Sequence, residues 1–396
     1  MLANLARLKQ RMDEVGADAL VATTRENVCY LTGIESVALE MFPHTGQCYA
    51  VVVRECLDRP YFICSRCEID QFLDAVPTLA DAIPYGTFYR ELRNGTRLSE
   101  PEERLERVTG QAADAATALD ALVHLLRRLG SRSVLVDEDG VPYGFLEALA
   151  ERLGSLHVTP GAELLRWVRQ VKTPAEIERI AAAAEVTEQG IVAAAAIAEP
   201  GVTELELTRE FERTIAGLGA RPKFTLIKIG RRAVAGQTRP GHEPLRRGET
   251  IWFDVGCVYQ GYWADLARVF SLGEPASRVK DVYDAMLAGE ERALAETRVG
   301  MTGRDVFELT VEAVREAGVE HYRRHHVGHG IGVEVYDRVH LTPTNDDVLE
   351  ENTVVNIETP YYEFGLGALH VEDPFVVRER GNDLLTRLGR ELHVLA

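Results

Sequence analysis

The sequence predicts an α/β amino-terminal domain, residues 1–160, followed by an α+β domain, residues 161–396. Three observations predict it. The 396 residues exceed what one hydrophobic core normally spans. Apolar β-rich runs alternate with helical periodicity through the first 160 residues, as in helices layered on a sheet. Beyond them, helices lie between runs that read as antiparallel strand pairs.

The opening segment MLANLARLKQRMDEVGADAL places Leu2, Leu5, Leu8 and Met12 at helical spacing with charges between them. It reads as an amphipathic helix rather than a signal peptide. Four runs follow, ADALVATT, NVCYLTG, QCYAVVVR and RPYFICS, each apolar, β-rich and bounded by turn residues, so each is expected as a strand. A long helical stretch is expected near 101–129, then a strand at SVLVDED and a helix at YGFLEALAERLG. Val158, Thr159, Pro160 and Gly161 read as a turn and mark the domain boundary. Thr173-Pro174-Ala175-Glu176 then opens a helix, with Thr as N-cap, Pro at the first position and Glu at the third. The alanine-rich stretch behind it suits a helix packed closely on a sheet. A helix near 203–218, a strand at FTLIKIG, a hairpin across 251–270, helices near 277–297 and 303–317 and terminal strands complete the order.

Lys and Arg number 44 against 62 Asp and Glu, a net charge of −18. Nucleic acid and anionic membrane surfaces both select for basic patches, so neither is an expected partner. No run reaches transmembrane length. Six cysteines (Cys29, Cys48, Cys56, Cys64, Cys67, Cys257) are too few for a disulfide scaffold at this length, which points to a cytoplasmic protein. Cys64 and Cys67 have redox or zinc spacing, but no second CxxC or His pair follows nearby, and two ordinary thiols are expected.

The hairpin IWFDVGCVYQGYWADLARVF, residues 251–270, carries Asp254 and Asp265 in an otherwise apolar run. An ionised carboxylate is not buried without a counter-charge, so these aspartates are either on exposed positions or beside something positive. Glu358 in TVVNIETPYY and Glu372 in LHVEDPFVV repeat the misfit. In HHVGHGIGVEVYD, residues 325–337, Gly328, Gly330 and Gly332 argue against a helix and aim His329 from a backbone that passes close to something. Singly, a strand glutamate faces water and a histidine is hydrogen-bonded. Together, four carboxylates and one imidazole form a ligand set for two divalent ions, whose +4 charge removes the desolvation problem.

The order Asp254, Asp265, His329, Glu358, Glu372, inside FDVGCVYQGYWADLAR, VGHGIG, NIETP and HVEDP, resembles the dinuclear site of the pita-bread metallohydrolases. These include methionine aminopeptidase, aminopeptidase P, prolidase and the metal-free creatinase. The resemblance covers nearly the whole chain and implies a creatinase-like amino-terminal domain and a pita-bread catalytic domain. It implies two divalent ions, with manganese favoured and cobalt, zinc or iron admissible, and a homodimer. The implied reaction is hydrolysis of an amide by water that two ions have made acidic. Glu358 would both ligate and take the proton, and His325 would bind substrate or relay protons.

Three positions depart from the prolidase and aminopeptidase P pattern. Gln237 stands where those enzymes have a histidine, Tyr336 replaces a second histidine, and His370 replaces an arginine. A threonine position is also changed, to Ala267. Gln cannot act as a base and Tyr titrates far above neutrality, but both can donate to a developing oxyanion. His242 is either an exposed loop residue or a displaced imidazole; His370 shares a strand face with Glu372 by the two-residue period. The expected activity is an Xaa-Pro dipeptidase or aminopeptidase acting on small peptides. The alternatives are a creatinase-like hydrolase of a small amide, guanidine or cyclic amidine, and a binding protein without chemistry.

Overall fold

The computed structural model describes residues 2–43, 45–110, 113–154 and 157–396. The chain divides into two compact units, Met1–Arg169 and Gln170–Ala396. The first contains helices α1 (Leu5–Val15), α2 (Arg25–Thr32), α3 (Val37–Met41), α4 (Glu100–Thr109), α5 (Ala118–Leu129), α6 (Phe145–Leu153) and α7 (Ala162–Gln170). Its strands are β1 (Ala19–Ala22), β2 (Tyr49–Val53), β3 (Cys56–Ser65), β4 (Asp81–Tyr85), β5 (Ser133–Val136) and β6 (His157–Pro160). They form one mixed sheet in the order β4-β3-β2-β1-β5-β6. The buried face of α5, including Ala118, Leu122, Leu125 and Leu126, shares its core with Val21, Val51, Ile63 and Val134 of the sheet.

Three sequence expectations are corrected in this unit. NVCYLTG is helical, within α2, because its two ends decide against strand propensity. The Thr24 side chain accepts the Asn27 N–H, and Gly33 takes the left-handed conformation (φ 75°) that closes a helix. The helical stretch near 101–129 is two helices, since Thr117 and Asp120 form a capping box that starts α5 afresh. The segment around Val158 is the edge strand β6, paired parallel to β5, not a domain-ending turn. Helix α7 therefore stays with the first unit, where the Arg7 guanidinium lies 3.4 Å from the centre of the Trp167 ring.

The second unit contains α8 (Pro174–Ala196), α9 (Glu204–Gly217), α10 (Ser277–Glu296) and α11 (Gly303–Glu316). Its strands are β7 (Arg221–Ile229), β8 (Thr250–Tyr259), β9 (Tyr262–Leu272), β10 (Gly328–Gly330), β11 (Asp337–His340), β12 (Val354–Glu358), β13 (Tyr361–Glu363), β14 (Gly367–Leu369), β15 (Glu372–Val376), β16 (Asp383–Leu384) and β17 (His393–Leu395). The main sheet runs β11-β10-β12-β15-β9-β8-β7, with β16 beside β15, β17 beside β9, and β13-β14 as a separate pair. Both of its faces are covered. Ile251, Phe253 and Val255 pack against Ile191, Leu207 and Phe211 of α8 and α9. Trp252 and Val269, on the alternate face, join a core with Met286 of α10 and Val311 of α11. Two-sided burial is why β8 and β9 read as unbroken apolar runs. No helix among the described residues is long and apolar enough to cross a membrane.

Thr173 and Glu176 cap α8 as expected, the Thr173 N–H donating to Glu176 Oε2 at 2.8 Å. Glu176 is buried, and that burial pushes its carboxyl up to about 7 despite Lys172 nearby. A folded-state value above the unfolded one adds stability that is complete below about 4.5 and lost as pH rises through 7. Glu176→Gln keeps a capping acceptor and removes this titration. Unfolding free energy, followed by denaturant titration from pH 5 to 8.5, should therefore fall less in the variant, by an amount on the order of 3 kcal/mol. A constant offset between the two proteins across that range would exclude it.

Candidate metal centre

Strand register alone brings the five sequence-predicted ligands onto one face. Asp254 lies opposite Ala267 in the β8–β9 hairpin, and Asp265 lies opposite Gly256, two residues further along the same face. Ala267 also faces Glu372 of β15, which faces Glu358 of β12. Asn356, two before Glu358, faces His329 of β10. Paired residues project to the same side, so the row of candidate ligands crosses β8, β9, β15, β12 and β10 in sequence. The alternating glycines act as expected of a close backbone approach. At Gly328 (φ 144°) a Cβ would collide with the Asn356 carbonyl oxygen, and at Gly330 with that of Arg338.

His329 Nε2 lies 3.7 Å from Asp265 Oδ2 and 3.9 Å from Glu372 Oε1. Its Nδ1 is 3.0 Å from the Gly330 carbonyl, which leaves Nε2 as the free lone pair when Nδ1 carries the proton. His370 is also in the cluster: its Nδ1 is 3.9 Å from Asp254 Oδ2, and its Nε2 is 3.4 Å from Glu372 Oε2 and 3.5 Å from Glu358 Oε2. Among the described residues, two groups have donor atoms close enough to share an ion, Asp254–His370–Glu372 and Asp265–His329–Glu372, with Glu372 in both. The Asn356 side-chain amide donates to Glu372 Oε1 at 2.5 Å and orients that carboxylate.

The electrostatics fit a cation. Asp265 Oδ1, His329 Nε2 and both His370 ring nitrogens are buried without a hydrogen-bond partner. Orphaned groups of this kind are unfavourable in a protein interior unless something binds them. Burial pushes Asp254 up to about 6, and it drives Asp265 and Glu372 well above the carboxylate range, with neighbouring carboxylates adding to the effect. Burial also acts to raise Glu358, but His326 and His370 outweigh it and hold this carboxylate below its usual range. Burial lowers His329 to about 4, which keeps its imidazole neutral, the form that ligates.

The remaining predicted residues divide. Tyr336 is brought in: its ring stacks on His329 at 3.8 Å between centroids, and burial, with Glu358 and Glu372 nearby, pushes its hydroxyl up. His325 is exposed, edge-on to His326 at 4.3 Å. Sequence reasoning missed His326, whose Nδ1 is 2.8 Å from Glu358 Oε1. The dipeptide His325-His326 held the signal, but which ring turns inward is set by the loop that leads into β10. Gln237 is exposed, next to Gly236, whose Cβ position lies 2.8 Å from the Trp252 ring. His242 is not gathered into the ligand row. Its loop is tied to the start of α9 by Glu204, which accepts the Gly241 N–H at 2.6 Å.

Arg268 holds the row from behind. Fully buried, it donates to Asp373 Oδ1 at 2.6 Å, to the carbonyls of Ala267 and Glu372 at 2.8 and 3.1 Å, and to those of Gly389 and Leu388. Strands β9 and β15 are joined where Asp265 and Glu372 project. Outside the centre, Cys64 is buried and Cys67 exposed, and both are free thiols.

Known proteins share this arrangement of domains. The profile of metallopeptidase family M24 matches residues 178–379, and that of the creatinase/prolidase N-terminal domain matches residues 4–171. An uncharacterized peptidase of Staphylococcus saprophyticus is 26% identical over 384 residues, covering 96% of this chain and 98% of its own. An Xaa-Pro dipeptidase of Pyrococcus horikoshii is 28% identical over 257 residues, 64% of this chain and 73% of its own. In fold, the chain is similar to an X-Pro aminopeptidase of Thermotoga maritima, with a TM-score of 0.78 and 24% identity over 98% of this chain and 100% of that one.

Proposed function

This chain belongs to metallopeptidase family M24, and from that premise we propose that it is an Xaa-Pro dipeptidase or aminopeptidase using two divalent ions. The observation that carries the reading is the single sheet face on which strand register places Asp254, Asp265, His329, Glu358 and Glu372, with Asp265 Oδ1 and His329 Nε2 buried and unpartnered. When bound, the ions supply an acidified water and polarise the scissile carbonyl. The four carboxylates suit manganese, and imidazole extends the choice to cobalt, zinc or iron.

The chain's own residues divide the remaining work. Glu358 is the carboxylate kept ionised, the form a proton acceptor needs. His326 touches its outer oxygen, and His325, exposed beside His326, offers a path for the proton to solvent. Tyr336 keeps its hydroxyl proton at neutral pH and is a donor for the developing oxyanion. Gln237 supplies a non-titrating amide for substrate recognition. A homodimer in the cytoplasm completes the reading, with small peptides as substrates.

A second reading, hydrolysis of a small non-peptide amide, is favoured by Gln237 and Tyr336 in place of titratable imidazoles. One assay separates the two. Metal-loaded protein is given Xaa-Pro dipeptides, longer Xaa-Pro peptides and small cyclic amides. Release of the residue preceding proline is expected; turnover of the amides alone, or of nothing with two ions bound, overturns the peptidase assignment.

A further inference from the structure

We propose that His370 is a metal ligand, completing with Asp254 and Glu372 a position equivalent to Asp265–His329–Glu372. The inference rests on the dinuclear reading above and goes beyond its five ligands, because it gives each ion its own imidazole. Three observations support it. His370 is 2% exposed, yet neither ring nitrogen has a hydrogen-bond partner, which is the state of a ligand and not of a buried structural histidine. Its nitrogens sit 3.4 to 3.9 Å from oxygens of Asp254, Glu358 and Glu372. Two donors each ~2.1 Å from one ion lie about 3–4 Å apart across its usual bond angles, so the 3.4 Å between Nε2 and Glu372 Oε2 suits shared coordination through that one nitrogen, and the donor atoms of Asp254, His370 and Glu372 lie close enough together to share an ion. The ring is also held in place, lying nearly parallel to the fully buried Trp252 at 6.2 Å between centroids and an angle of 21°.

The chemical consequence concerns which ions are taken. With one imidazole at each position the pair becomes a nitrogen-and-oxygen site on both sides. That shifts preference from manganese toward zinc, cobalt or iron at the His370 position, because imidazole suits the latter ions and carboxylate the former.

The test compares wild type with His370→Phe, which keeps an aromatic ring on Trp252 but offers no lone pair, and with His370→Asn, which removes the imidazole with less bulk. Each full-length protein is stripped of metal, titrated separately with Zn(II), Co(II) and Mn(II) without substrate, and analysed for bound metal after dialysis. The wild type is expected to hold two ions. Both variants should hold one tightly and the second at least 10–100-fold more weakly, with a larger loss for Zn(II) and Co(II) than for Mn(II). Dicobalt wild type should also show one more set of hyperfine-shifted imidazole protons than cobalt-loaded His370→Phe. That signal identifies His370 in the wild type by comparison with whichever variant folds. Unchanged second-ion affinity, or an unchanged set of imidazole signals, overturns the proposal, as does a wild type that binds fewer than two ions. Two ions in wild type and one in the variants, without Xaa-Pro turnover, supports His370 as a ligand and refutes only the substrate assignment.

Discussion

Glu372→Gln is expected to remove both metal positions at once and to lower turnover at least ~10³-fold, the equivalent of about 4 kcal/mol of transition-state stabilisation. Glu372 is the carboxylate common to both donor groups, so no other single change weakens the two positions together so directly. The substitution is gentle on the fold. Burial drives Glu372 toward its neutral acid when no cation is present, and glutamine resembles that state while still accepting from Asn356. The metal-free variant should therefore melt close to the metal-free wild type. It should lack the upward shift in melting temperature that excess ion gives the wild type by binding only the folded state. Elemental analysis showing two tightly held ions in Glu372→Gln, with a wild-type rate, would sink the shared-carboxylate arrangement.

Arg268→Leu should have the largest effect on stability, a loss of about 3–5 kcal/mol, because it leaves Asp373 buried without its counter-charge. Glu290 is buried nearby and already pushed well up by burial and by Asp373, so a second carboxylate worsens the isolation of the first. For a unit of this size the change corresponds to a drop of roughly 10 °C in melting temperature. Metal affinity should fall as well, since Arg268 donates directly to the Glu372 carbonyl beside the site. Removing both charges in Arg268→Leu/Asp373→Leu should recover part of the stability but not the metal affinity, which separates charge isolation from positioning. A single variant that melts within a degree or two of wild type would refute the role assigned to this pair.

Much of the candidate ligand row was legible because each carboxylate stands out within its own run. Asp254 and Asp265 interrupt a hairpin that is otherwise buried on both faces, and that contradiction exists in the one-dimensional text before any fold is known. The glycines around His329 were legible for the same reason, since a helix is excluded locally and the close contacts at Asn356 and Arg338 follow. The amino-terminal unit was less so. NVCYLTG looks like a strand by composition, and only the Thr24 and Gly33 caps make it α2. Val158 looks like a turn until β5 lies alongside it.

The sequence by itself determined the chemical kind of the candidate centre: four carboxylates and an imidazole in apolar runs are a donor set for cations once strand register gathers them on one face. Only the tertiary structure decided the membership at its edge. It turned His326 inward and left His325 exposed, anchored the His242 loop to α9, and set the unpaired His370 ring between Trp252 and three carboxylates. The physical reason is range. A buried charge conflicts with its immediate neighbours in the chain, whereas the direction of a histidine depends on which strand lies beside it, and that partner is dozens of residues away.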